Sequence, residues 1–371
     1  MSMTSQQEPA MAVTAVTAKA ARTEQTALEK TELTLGFIQL LDSAPLIIAL
    51  EQGFFEAAGL AVILQREVSW ATLRDKVAYG LLDGAQMLSP MPLAATLGLG
   101  SPAVAMTSSM VLSRGGNAIT LSTRLLAELG IDRHMPTSQV PAALHKYVTT
   151  NQRPLTFATV YPYSCHHYQL HAWLEHCGIA PFAIQVIGVA PAMATAALQQ
   201  GVIDGFCVGE PWNSLAQAAG HGRIVLAKAL PMQALSTTEP LTPKASLLPP
   251  HGPAEKVFGI TSQFQRQHPN TCAALYQALH QAGHWLSQHQ YQPQLSQLLA
   301  QPAYLDLPPA LLASFMTAEH PSLFTSEIPI QFCTKQSQSL ADARWVARQM
   351  LQLGQLSEPV SDQLLAQVYL S

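Results

Sequence analysis

Between residues 33 and 89 the chain alternates strand-length apolar runs with helix-length segments, and it does so again between residues 118 and 227. In the first series, residues 33–40 read as a strand. Ser43, Ala44 and Pro45 then open a helix, with Ser as its cap and Pro in its first turn, and the helix closes at Gly53. Residues 60–64 form a second strand, 70–82 a second helix and 85–89 a third strand. Strands joined through helices rather than tight turns require crossover connections, so the pattern predicts a parallel-rich sheet flanked by helices. The second series places strands at 118–121, 155–160, 184–189, 205–208 and 224–227, with helices at 141–149, 164–177, 192–200 and 212–219.

Two α/β lobes follow, and 371 residues suffice for both, because single cores stop growing near ~250–300 residues. The predicted organisation is a flexible tail over 1–30, the first part of lobe one over 31–117, lobe two over 118–230, and a return to lobe one with C-terminal helices over 231–371. A Pro-, Ser- and Thr-rich stretch at 230–253 reads as the returning loop. Leu275, Leu279, Ala282 and Leu286 mark a core-facing helix over 270–289.

Composition narrows the function. Hydrophobic residues make up 48% and charged residues 11% of the chain, and the net charge is −4, which excludes a broad nucleic-acid footprint of clustered Lys and Arg. No apolar run reaches the ~20 residues of a membrane span. The first thirty residues lack the ~7–15-residue apolar core of a secretion signal, so a cytoplasmic location is expected. The five cysteines form no CxxC pair and read as small apolar core residues in a reducing compartment.

Chemistry concentrates at a few positions. Gly209, Glu210, Pro211, Trp212 and Asn213 follow the apolar run ending at Val208. That arrangement puts backbone N–H groups and a carboxylate at a strand's carboxyl end, where α/β proteins bind small polar ligands; its plainer reading is an acidic residue in a helix first turn. His166 stands at the first turn after the 155–160 strand. Trp70 opens a helix and is either core filling or a flat wall with an indole donor. Lys256, taken alone, reads as a surface lysine. His167 and His171 have metal-chelating i, i+4 spacing but no third ligand beyond Cys165 and Cys177; the alternative leaves them exposed on a helix. No GxSxG, HExxH or phosphate-binding loop occurs, so no catalytic role is expected.

From residue 33 to residue 269 these segments resemble the nitrate and bicarbonate binding protein family. The resemblance runs through Glu51, Gln52, Gly53, Phe54 and Phe55, then 69–75, 88–92, and 166–181 with Trp173, Leu174, Gly178 and Ile179. It continues through 209–213 and ends at Glu255 and Lys256. It implies a type II periplasmic-binding-protein fold, with a ligand cleft between lobes. By the family pattern Trp70, Asn117, His166, Gly209, Glu210 and Lys256 fall at ligand-contacting positions, Asn117 standing where transporter receptors carry the longer Gln. The implied ligand is nitrate or nitrite, with no cofactor and no metal. Lys256 and a partly charged His166 would compensate the anion, and Glu210 is expected to pair with one of them.

Within that family the missing secretion signal favours a cytoplasmic nitrate/nitrite sensor of the NasS type, whose partner is a NasT-type RNA-binding antiterminator. The alternatives are a solute-binding component of an ABC-type nitrate or bicarbonate transporter and, less favoured, an enzyme similar to the thiamine pyrimidine synthases.

Overall fold

The computed structural model describes residues 27–150, 152–180, 183–227, 252–316, 330–334 and 338–370. All but the last four residues of the expected tail, and nearly all of the expected loop at 230–253, lie outside them. The first series builds one side of a six-stranded sheet. β1 (Glu32–Ile38) runs parallel to β2 (Ala61–Glu67) and to β3 (Gly84–Leu88). The helix Trp70–Ala78 makes the crossover, its N-terminus held by the Ser69 hydroxyl accepting from the Thr72 N–H. Gly36 lets this helix and the following turn approach β1, since a β-carbon there would lie 2.6 Å from Leu82 Cδ1.

The rest of each sheet departs from the parallel expectation. β10 (Ala254–Thr261) lies between β3 and β4 (Met106–Arg114), antiparallel to both, and β11 (Gln331–Phe332) closes the edge. The five-stranded sheet has the order β7 (Gln185–Gly188), β6 (Thr156–Thr159), β8 (Gly205–Gly209), β5 (Asn117–Ser122), β9 (Gly222–Leu226). There β6 is parallel to β7 and β8, while β5 is antiparallel to β8 and β9. The sheets are therefore mixed. The reason is topological: β5 and β10 are the strands by which the chain passes from one sheet to the other. Each enters its sheet from the cleft, against neighbours whose carboxyl ends face the cleft.

Four apolar cores result. One packs the helices Ala44–Glu51 and Pro269–Leu286 on the outer face of the six-stranded sheet, and another fills the five-stranded lobe. A third joins the lobes, with Ile38, Leu40, Trp70 and Met87 from the first meeting Phe206, Val208 and Trp212 from the second. The fourth lays the C-terminal helices Leu340–Gln352 and Asp362–Tyr369 over Leu93 and Ala94 of lobe one and Cys165 and Tyr168 of lobe two. Ser43 is not the cap expected of it. Its hydroxyl instead donates to the Leu40 carbonyl at 2.7 Å, because the chain reaches the Ala44–Glu51 helix through a helical turn, Leu41–Ser43, that already has αR geometry.

Candidate functional site

Where β1, β3, β5, β8 and β10 end or begin at the cleft, the fold gathers a buried polar cluster around Lys256. The strand β10 sets Lys256 opposite Leu88 of β3 and Ser113 of β4, so its side chain has no route to solvent and is 0% exposed. Its ammonium lies 2.9 Å from Asp42 Oδ2 and 2.9 Å from Glu255 Oε1. Burial works against the Lys256 charge, but Asp42 and Glu255 together outweigh it and hold the pKa above the ordinary lysine value. Asp42 is anchored from behind by the Gln86 amide, whose oxygen accepts from the Ile38 N–H at 3.0 Å. The Lys256 nitrogen also sits 5.8 Å from the Trp70 ring centroid, a cation–π distance.

The second lobe closes the cluster. His166, one residue into the helix Cys165–His176, is completely buried, with Nε2 3.7 Å from Glu255 Oε1. Ser164 caps that helix by accepting from the His167 N–H, and the Cys165 thiol reaches the Ala254 carbonyl at 3.5 Å, tying the helix start to β10. Asn117 and Gly209 face each other in the β5–β8 register. A β-carbon on Gly209 would lie 3.3 Å from Leu40 Cδ2, 3.4 Å from Asp42 Oδ2 and 3.5 Å from Asn117 Oδ1, so glycine there keeps open the space between the two lobes' polar groups. Glu210 joins the lobes through its backbone, its carbonyl accepting from the Leu41 N–H at 2.8 Å. Further interlobe bonds run from Trp212 Nε1 to the Gln39 carbonyl at 2.8 Å and from Arg74 to the Tyr161 hydroxyl.

The six expected site residues lie at the cleft ends of these elements, and the pairing expected of Glu210 is not seen. Glu210 pairs with neither Lys256 nor His166. Its Oε2 accepts from the Ser214 N–H at 3.1 Å, capping the next helix, and Lys256 is already taken by Asp42 and Glu255. Burial, partly offset by that Ser214 bond, raises the Glu210 pKa to about 8. Burial first, and then Lys256, push the His166 pKa well below the ordinary histidine value. His167 and His171 are half-buried rather than exposed, their rings 4.4 Å apart, and among the described residues no group of three His, Cys, Asp or Glu is placed to hold a metal.

Sequence reasoning passed over Asp42 and Gln86. Asp42 carries a usable signal, since it follows β1 at a strand's carboxyl end just as Glu210 follows β8, but it stands beside Ser43, the more conspicuous cap residue. What remains unpaired is telling. Trp70 Nε1, both ring nitrogens of His166, Asn117 Oδ1 and Glu210 Oε1 are buried without hydrogen-bond partners, whereas buried polar groups are usually satisfied. These unpaired atoms and the buried ammonium lie together where the two lobes meet.

Two α/β lobes meeting over a buried polar cluster define a periplasmic-binding-protein-like fold. The chain belongs to the NMT1-like family, whose profile matches residues 26–300. It is 33% identical over 364 residues to the nitrate import ATP-binding protein NrtC of Synechocystis, covering 95% of this chain and 51% of that protein. The chain therefore spans about half of that relative's length, and 38% of the bicarbonate transport ATP-binding protein CmpC of Synechocystis, to which it is 34% identical over 281 residues, 75% of this chain. It is 30% identical over 314 residues to the nitrate/nitrite binding protein NrtA of Synechococcus elongatus, covering 81% of this chain and 66% of that one. Among solved structures, the periplasmic nitrate-binding protein NrtA from Synechocystis superposes with a TM-score of 0.76 at 25% identity, covering 92% of this chain and 86% of that one.

Proposed function

We propose that this chain binds nitrate or nitrite in the chamber between its lobes and passes occupancy on to another protein, with no chemical turnover. The observation that carries this reading is the set of unpaired buried groups, Trp70 Nε1 and the His166 nitrogens, around the buried Lys256 ammonium. Nitrate is planar with weak acceptor oxygens, so it needs donors from several directions and a nearby cation, which this chamber supplies. The names of the NrtA and NrtC relatives support the same ligand class, and that of CmpC makes bicarbonate the competitor to test.

For output, we favour a cytoplasmic sensor of the NasS type that binds a NasT-type RNA-binding antiterminator and releases it when the anion arrives. Near-complete switching needs about 5 kcal/mol of differential affinity between the two arrangements, and lobe closure is the natural bistable element. A second reading has a specific observation behind it. Nearly the whole chain aligns with half of an ATP-binding protein of nitrate import, so the partner would be a transport ATPase and this unit its anion-responsive part.

Calorimetry against nitrate, nitrite, bicarbonate and chloride tests the ligand. Nitrate or nitrite should bind, and Gly209→Ala, which places a methyl among Leu40, Asp42 and Asn117, should fold yet lose roughly tenfold or more in affinity, equivalent to about 1.4 kcal/mol. Unaltered affinity in that variant would move the ligand elsewhere. Size-exclusion with a candidate antiterminator and with a nitrate-transport ATP-binding subunit, each with and without millimolar anion, tests the output. The true partner's complex must respond to the anion, and by reciprocity must weaken anion binding by the same factor. A complex with neither, or indifference to anion in both, would refute the signalling role.

A further inference from the structure

The chamber's charges do not balance for an incoming anion. Asp42, from the turn after β1, and Glu255, beside Lys256 on β10, both hold the single ammonium at 2.9 Å. With both carboxylates ionised, the cation is over-neutralised before any ligand enters. Glu210, next to Gly209, turns its carboxylate to the Ser214 N–H and brings no counter-charge to the cluster. The thiols of Cys165 and Cys207 stay neutral, since burial and then Glu255 push them well above the ordinary thiol value. One more negative charge placed here, out of water, needs a positive one to accompany it.

The geometry of His166 says where that charge goes. Its Nε2 lies 3.7 Å from Glu255 Oε1, beyond hydrogen-bond reach, and both ring nitrogens are buried without a hydrogen-bond partner. A neutral imidazole has one N–H and one lone pair. With an anion beside the ring, either tautomer leaves one nitrogen's lone pair turned toward a carboxylate or toward the anion. Only the imidazolium presents an N–H to each. Resting on the anion reading above, we propose that the anion enters together with a proton, which His166 holds as an imidazolium between Glu255 and the bound anion. The chamber therefore selects anion plus proton, and is strongest for anions where the surroundings are acidic.

The sign follows from linkage. In the free protein, burial and Lys256 hold the His166 pKa well below the ordinary value; a bound anion reverses the dominant neighbour and raises it. Affinity is then greatest below the free-state pKa and falls about tenfold per pH unit until the bound-state pKa is passed. Glu210, with its pKa raised by burial to about 8, titrates on the alkaline side of neutral, and the His166→Gln profile separates its part from that of His166. Asp42, whose pKa burial raises against the pull of Lys256, is the rival acceptor.

Titration calorimetry with sodium nitrate and sodium nitrite, near neutral pH in two buffers of very different ionisation enthalpy, reads the proton directly. About one proton should be taken up per anion, with weaker binding at each step toward alkaline pH. In His166→Gln, binding should persist more weakly, with uptake lost and the profile flattened. Binding by the unaltered protein with no uptake and no pH dependence would overturn the proposal while leaving the anion reading intact. Uptake that survives in His166→Gln would place the proton on another group, Asp42 first, and overturn the assignment to His166. No binding of any tested anion at any pH would overturn the anion reading and this proposal with it.

Discussion

Replacing Lys256 with methionine is expected to lower the free energy of unfolding by about 3–5 kcal/mol at neutral pH, the usual cost of stranding a buried charge by removing its partner, and to abolish anion binding. Two carboxylates depend on this one ammonium: Asp42 and Glu255 are each 2.9 Å from it and almost entirely buried. Without it they face one another in a water-excluded space, and their folded-state pKa values must rise. A carboxyl whose folded pKa lies above its unfolded value destabilises the fold above that folded pKa, so the deficit should shrink as pH falls and the pair takes up protons. Urea denaturation of the parent and of Lys256→Met at about pH 7 and about pH 5 measures this. A triple change, Asp42→Asn with Glu255→Gln and Lys256→Met, removes the stranded charges and should recover much of the stability without recovering binding. An unchanged midpoint for Lys256→Met at neutral pH would show that the cluster is not held by its charges.

The same residues show why part of this architecture was legible and part was not. β1, β3 and β8 are buried on both faces, so their apolar runs stood out, and Gly53 and Gly59, both at positive φ, punctuated the intervening helix. β10 was hidden because it reads Ala, Glu, Lys, Val, Phe, Gly, Ile, Thr. An adjacent acid and base inside a strand look like surface, and it takes Asp42, more than two hundred residues away, together with Glu255 to make burial of Lys256 tolerable. β4, with Thr107, Ser108, Ser109 and Ser113 among its residues, lost its strand signal to hydroxyls in the same way. Periodicity reports a residue's own neighbours, whereas these two strands are specified by partners supplied from other elements.

Site residues divide along the same line. Gly209, Glu210 and His166 sit at the cleft ends of elements whose order was readable, so their convergence was foreseeable from topology. The charge states were not. Glu210 was expected to serve a cation and instead caps the helix Trp212–Ala218 through Ser214, because the cation had been claimed by Asp42, a residue overlooked beside its more obvious neighbour Ser43. His166 was expected to be partly charged, and complete burial and a fixed ammonium both push its pKa well below the ordinary value.

Asp342→Ala is expected to cost about 3–5 kcal/mol as well, and to loosen the C-terminal helices before the rest of the fold. Arg114, at the end of β4, grips Asp342 with two parallel bonds, Nη1 to Oδ1 at 2.7 Å and Nη2 to Oδ2 at 3.0 Å. Its Nη1 also donates to the Gly252 carbonyl at 2.6 Å. Asp342 is in turn the third residue of a capping box with Ser339, so one carboxylate both starts the helix Leu340–Gln352 and moors it to the sheet. Burial alone would raise the Asp342 pKa, but the bonds from Arg114 and Ser339 outweigh burial and hold it below the ordinary aspartate value. Its contribution is thus fully present above the unfolded-state pKa and is lost only as pH falls through the lower folded-state value. The moored helices touch both lobes. Tyr369 donates to the Ser89 carbonyl at 2.9 Å behind β3, and Tyr168, on the helix that begins with Cys165 and His166, donates to Gln355 at 2.9 Å. Releasing the mooring should therefore raise hydrogen exchange across residues 340–370 first, and then at the start of the His166 helix. The pair Arg114→Met with Asp342→Leu, which leaves no stranded charge, should regain most of the loss. Uniform exchange changes across the chain, or a double variant no better than the single, would mean that the C-terminal helices are held by their apolar contacts with Leu93, Ala94 and Tyr168 rather than by the ion pair.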